Sequence, residues 1–183
     1  MEPDVPVHEL VKVAGRDVFF YCDVDCDTVA ELCMVLKKLE CKLMSEMYAN
    51  DHDDIPTIRI HIHSDGGDLH AGLGGMDFIK SLECRTTTIA EGMCASAATF
   101  LFLGGDRRQV TPNSYLLIHQ LGSEFWGKYE NMKDEMDQCD KLMKRMKRIY
   151  LRESGLPATK LDKLMKRDLY LSAQKCVKYG LVR

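Results

Sequence analysis

Ser96 lies in a run of small residues, Gly92-Met93-Cys94-Ala95-Ser96-Ala97-Ala98. Further along, Asn113-Ser114-Tyr115-Leu116-Leu117-Ile118-His119-Gln120 ends an apolar, strand-like run in a histidine. A serine hydroxyl is a poor nucleophile at neutral pH unless a base takes its proton, and imidazole is suited to that task. The pair points to acyl transfer. A lone serine among alanines is more commonly a helix cap or a packing contact, so the pair needs support from elsewhere in the chain. One support is Ile60-His61-Ile62-His63-Ser64-Asp65-Gly66-Gly67-Asp68, where alternating isoleucines read as a buried strand and two glycines let the backbone turn with its amides unobstructed. Such amides can hold a developing oxyanion. A second is Lys166-Arg167-Asp168-Leu169-Tyr170-Leu171-Ser172-Ala173, which sets one carboxylate between a basic helix end and an apolar strand, where it could orient an imidazole.

The order of these segments, a Gly-Gly loop, a small-residue serine turn, Asn-Ser-x-x-x-Ile-His-Gln and then Arg-Asp-x-x-Leu-Ser-Ala, resembles the proteolytic subunit family of the Clp protease (ClpP). The resemblance runs from about Gly15 to Val182. It implies Ser96 as nucleophile, His119 as general base and then acid, Asp168 as third triad member, and the Gly67 and Ala97 amides as oxyanion hole. The sequence departs from the family pattern at Asp65 and Leu121, where proline is usual, and at Ala97-Ala98, where Met-Gly is usual. Alanines keep their amides. A carboxylate at position 65 would disfavour an oxyanion unless it points to solvent.

The resemblance further implies a serine endopeptidase of stacked heptameric rings, cleaving unfolded proteins or peptides, with an AAA+ unfoldase as partner. Two other readings compete: a non-catalytic ring or scaffold subunit, and a crotonase-type acyl-CoA enzyme on the same fold. Crotonases lack this Ser-His-Asp order and are longer.

Composition excludes several other classes. The net charge of −3 over 183 residues leaves no footprint for nucleic acid, and the one basic stretch, Lys141 to Arg148, reads as a solvated helix face. Met1 to Pro6 carries acids and prolines and no apolar signal region, which predicts a cytoplasmic protein. The apolar stretch Ala95 to Gly105 is too short to span a bilayer, so no membrane role is expected. Eight cysteines scattered through apolar positions read as reduced thiols. Cys22 and Cys26, or His61, His63 and His70, lack the spacing and ligand number of a zinc site, so no metal is expected. Gly122-Ser123-Glu124-Phe125-Trp126-Gly127-Lys128-Tyr129 nearly spells a phosphate-binding loop, but Tyr129 replaces the magnesium-holding hydroxyl and the bulky residues close the cradle. No cofactor is expected, and any ATP dependence belongs to a partner.

The elements that must position the site follow from periodicity. Asp17 to Tyr21 reads as a strand, and Asp27 or Thr28 caps a helix bearing Val29, Leu32, Cys33, Leu36 and Leu39 on one face. After a polar turn at Asn50 to Asp54 come a strand over Thr57 to His63, a helix over Leu69 to Leu82, a short strand over Arg85 to Ala90 and a helix starting near Ser96. Gly104 to Arg108 and Thr111 to Asn113 read as turns. This alternation predicts an α/β fold with mostly parallel strands. The resemblance narrows it to the ClpP/crotonase-like ββα superhelix, a single domain over residues 1–183 with a projecting strand-helix handle at about 121–150. Within the handle Leu121 to Trp126 reads as a strand. Met132, Met136, Cys139, Met143, Met146 and Tyr150 form a heptad-like stripe, which on the residues alone reads as a helix packing on its own core and in the light of the resemblance as a surface that joins two rings.

Overall fold

A computed structural model describes residues 10–51 and 54–183. Its elements run β1 (Val11–Ala14), β2 (Asp17–Phe20), α1 (Cys26–Ala49), β3 (Thr57–Ser64), α2 (Leu69–Lys80), β4 (Arg85–Ala95), α3 (Ala98–Leu103), β5 (Arg107–Val110), β6 (Tyr115–Leu117), α4 (Tyr129–Glu153), α5 (Ala158–Met165), β7 (Tyr170–Ser172) and α6 (Ala173–Lys178). The strands form one seven-stranded sheet in the order β1-β2-β3-β4-β6-β7, with β5 also beside β4. The pairs β2/β3, β3/β4, β4/β5 and β4/β6 are parallel, as expected where helices supply the crossovers. The antiparallel pairs β1/β2 and β6/β7 sit at the two ends of this order.

Strand β4 organises the molecule. Its first half pairs with β5, Thr87 to Arg107 through Ala90 to Val110, and its second half with β6, Met93 to Tyr115 through Ala95 to Leu117. The expected strand over Arg85 to Ala90 therefore continues five residues further, to the residue before Ser96. The hydrophobic face of α1 supplies Val29, Leu32, Leu36, Leu39 and Leu43 to the core against Val18, Phe20, Ile58, Ile60 and Ile62. The apolar helix α3 is buried throughout.

Several local expectations differ from what is observed. The cap of α1 is Asp25, whose side chain accepts the Thr28 N–H at 2.8 Å while Thr28 Oγ1 accepts the Asp25 N–H at 3.0 Å. This reciprocal capping box satisfies two otherwise orphaned donors, which outcompetes a start at Asp27 or Thr28. The turn expected over Gly104 to Arg108 gives way at Arg107 to β5, whose Arg-Arg-Gln sequence carries no apolar signal. The helix expected to start near Ser96 begins at Ala98, after a turn. Leu121 to Trp126 forms no strand, because among the described residues no neighbouring strand satisfies its backbone groups. The polar turn at Asn50 to Asp54 includes His52 and Asp53, and the N-terminal reading covers Met1 to Pro6; these lie outside the described residues.

The methionine stripe packs on its own core over only part of its length. Met146 and Tyr150 are buried at the root of α4 and Met143 packs on the core, whereas Met132, Met136 and the nearly fully exposed Trp126 have no such cover in the single chain. Among the described residues no helix is long and apolar enough to cross a membrane.

Candidate active site

Sheet register brings the predicted residues together. Ser96 follows the last residue of β4, and its neighbour β6 runs parallel with Leu117 opposite Ala95, so the chain leaves both strands at the same edge. Ser96 and His119 emerge there side by side and line one pocket. Strand β7 runs antiparallel to β6 with Tyr170 opposite Leu117; extended two residues outward, this register sets Asp168 opposite His119. Asp168 Oδ1 stands 4.0 Å from His119 Nδ1. Strand β3, on the other side of β4, has Ser64 beside Cys94 and delivers the Gly66-Gly67 loop to the same edge.

The Ser96 backbone is left-handed, with φ of 52°, a costly conformation for a non-glycine residue. Its N–H donates to Leu117 O at 2.9 Å, and its carbonyl accepts from Thr99 N–H at 3.0 Å and from Thr99 Oγ1 at 2.6 Å. The serine is thereby fixed in a sharp elbow between strand and helix. Gly66 and Gly67 have φ of 105° and 142°, and a Cβ on Gly66 would lie 2.6 Å from Ser96 Cβ, one on Gly67 2.2 Å from Val24 O. Only glycine permits so close an approach. The loop is clamped by Val24 N–H to Gly66 O at 2.7 Å and Asp68 N–H to Val24 O at 2.6 Å. Among the described residues the Gly67 and Ala97 amides have no hydrogen-bond partner, and both residues line the pocket.

This pocket has a volume of about 240 Å³, with Leu69, Phe100, Leu121 and Met146 among its apolar walls. Asp65, the departure from family pattern before the glycines, is exposed and lines none of it. Its carboxylate faces solvent, where water screens it from the amides. The arrangement is complete in residue type and open in geometry. At 4.0 Å His119 and Asp168 are beyond hydrogen-bond reach, the Asp168 side chain is 78% exposed, and no Ser96–His119 hydrogen bond occurs among the described residues. Such bonds often tighten only around substrate.

The histidines and acids of the central strands lie apart from this pocket. Both ring nitrogens of His61 are engaged by carboxylates, Nδ1 with Glu91 Oε1 at 2.9 Å and Nε2 with Asp17 Oδ1 at 3.0 Å. Arg59 grips Asp17 through two hydrogen bonds, which with His61 outweigh partial burial and hold that carboxyl at about 2. Burial and the Glu91 carboxylate, which accepts its hydroxyl, push Tyr21 up to about 12. This is a polar ladder across β2, β3 and β4, and among the described residues no group of three acid, histidine or cysteine side chains forms a metal site. Nothing in the sequence signals that Thr99, behind Ser96, meets Tyr150: their hydroxyls lie 2.6 Å apart across 51 positions of chain.

A family model for Clp protease matches residues 13–183. The ATP-dependent Clp protease proteolytic subunit of Chlorella vulgaris is 29% identical, covering 98% of this chain and 92% of that protein. The proteolytic subunit 3 of Rhizobium johnstonii is 30% identical, covering 92% and 82%. Among solved structures, a point mutant of ClpP1 from Listeria monocytogenes superposes with a TM-score of 0.78 at 24% identity, covering 92% of this chain and 89% of that one. On the span of the family match and the shared fold, the chain belongs to the Clp protease family, a family of serine endopeptidases.

Proposed function

We propose that the chain is the peptidase subunit of a self-compartmentalising cytoplasmic ring protease and cleaves unfolded polypeptides through Ser96, His119 and Asp168. The observation that carries this reading is the left-handed Ser96 elbow sharing one pocket with His119 and with the Gly67 and Ala97 amides, which are unpaired among the described residues. His119 takes the Ser96 proton as the hydroxyl oxygen attacks the peptide carbonyl, and Asp168 steadies the imidazolium. The Gly67 and Ala97 amides receive the charge that develops on the carbonyl oxygen. His119 returns the proton to the leaving amine, and water, deprotonated by the same imidazole, releases the acyl group.

The whole chain acts as one peptidase domain, and the unpartnered apolar end of the handle, Trp126, Met132 and Met136, serves contacts between copies in stacked rings. An AAA+ unfoldase supplies folded substrates and any ATP dependence. The open spacing at His119 and Asp168 favours one other reading, a non-catalytic ring subunit. Peptide cleavage, fluorophosphonate labelling and native mass measurement on the parent and Ser96→Ala separate them. The proposal expects labelling and turnover that vanish in Ser96→Ala while the assembly mass persists. A parent that assembles but neither labels nor cleaves refutes the enzymatic reading.

A further inference from the structure

Tyr150 is fully buried on α4, and its hydroxyl lies 2.6 Å from Thr99 Oγ1, which lies 2.6 Å from the Ser96 carbonyl oxygen. Counting protons assigns the direction of both bonds. A carbonyl only accepts, so the single Thr99 hydroxyl proton goes to Ser96 O, and Tyr150 must then donate to Thr99 Oγ1. The chain runs one way, from α4 into the elbow.

What it reaches is half of one peptide unit. The Ser96 carbonyl and the Ala97 N–H belong to a single trans, planar amide, so holding the oxygen in place aims the N–H the opposite way. Hydrogen bonding to the carbonyl also draws electron density from the nitrogen and makes its N–H a stronger donor, as in any polarised hydrogen-bond chain. We infer that Tyr150 is a positioning residue which, through Thr99, aims and strengthens the Ala97 N–H toward the oxyanion. The inference rests on the proposed function, since it needs an oxyanion to form there. It also links the seating of the handle to the chemistry, because Tyr150 sits at the root of α4, beside Phe100 with ring centroids 5.1 Å apart.

Tyr150→Phe removes one oxygen and keeps the ring in the core. Losing an oxyanion donor outright costs on the order of 10²–10³ in kcat, and a donor that is only less well aimed should cost about three- to tenfold. The expected result for peptide cleavage is therefore a fall of about three- to tenfold in kcat with KM nearly unchanged, since the ground-state carbonyl carries little charge. Affinity for a peptide boronate, which mimics the tetrahedral intermediate, should fall by the same factor. Thr99→Val should lose at least as much, Thr99→Ser should recover most of that loss, and adding Tyr150→Phe to Thr99→Val should cost nothing further. Parent kcat in Tyr150→Phe, a loss confined to KM, or additive losses overturn the inference and leave the proposed function standing. If Tyr150→Phe does not fold, parent kcat in Thr99→Val, a loss there confined to KM, or a loss that Thr99→Ser fails to recover overturns the inference. A parent that neither cleaves nor labels overturns the proposed function and this inference with it.

Discussion

The Gly66 backbone packs directly against Ser96, and Gly66→Ala tests that contact. The added methyl would lie 2.6 Å from Ser96 Cβ, 2.8 Å from Ala95 O and 3.1 Å from Ala97 N. Carbon atoms in contact normally sit about 3.5–4.0 Å apart, so the overlap with Ser96 is roughly 1 Å, and none of the three atoms is the free end of a flexible side chain. The backbone at φ of 105° adds strain of its own, on the order of 1–3 kcal/mol for an L residue. Relief requires the Ser64 to Asp68 loop and the Ser96 elbow to separate, and the Gly67 amide moves with the loop. A displacement of about 1 Å at a reacting centre costs on the order of 10²-fold, and loss of one oxyanion donor on the order of 10²–10³. The expected outcome is thus a fall in kcat on the order of 10²- to 10³-fold, with a loss of about 2–4 kcal/mol in unfolding free energy. The assay is steady-state peptide cleavage well below the melting temperature, with circular dichroism and denaturant unfolding on the same preparations. Gly74→Ala is the control, because a methyl there meets nothing within 4 Å on the exposed side of α2, and alanine should stabilise the helix by up to about 1 kcal/mol. If folded Gly66→Ala turns over within about threefold of the parent, the Gly-Gly loop is not part of the oxyanion machinery.

The remaining predictions concern the sheet's polar ladder and the handle. Asp17 is held at about 2 against an ordinary 3.8, chiefly by Arg59, so its stabilising contribution is full above about pH 4 and is lost as pH falls towards 2. Arg59→Met should flatten the fall of melting temperature across that window; identical acid profiles for variant and parent would rule the pairing out. Trp126 is the sole tryptophan and is 98% exposed in the single chain, so its fluorescence reports directly on the handle. Assembly through this face should shift its emission to shorter wavelength as concentration rises, and an unshifted spectrum in the assembled particle would exclude Trp126 from the interface.

The periodicity of apolar residues was enough to place most of the core. Alternating isoleucines in β3 and the Val29, Leu32, Leu36 and Leu39 stripe of α1 are buried as that periodicity requires. Elements whose residues satisfy no local pattern were not legible. Strand β5 exists because β4 offers it a ladder, which offsets the cost of carrying Arg108 into the core, where its guanidinium is fully buried 3.8 Å from Glu153 and pushed down to about 10 by burial. The reverse happened at Leu121 to Trp126, where strand-like residues find no partner in the single chain.

For the site, residue types in order suggested a serine, a histidine, a Gly-Gly loop and a carboxylate suited to acyl transfer, and the family resemblance carried by that order implied the roles of Ser96, His119, Asp168, Gly67 and Ala97. Their relation in space was not in that order. It depends on the β4/β6 and β6/β7 registers, which place His119 beside Ser96 and Asp168 4.0 Å away, and on the turn that leaves Asp65 in solvent. The Tyr150 to Thr99 to Ser96 chain likewise came only from packing. Local sequence specifies which groups can react and which segments can bury a face. Contacts between distant segments, paid for by burial of the whole core, decide which of those groups meet and which hydroxyl holds the Ser96 peptide in place.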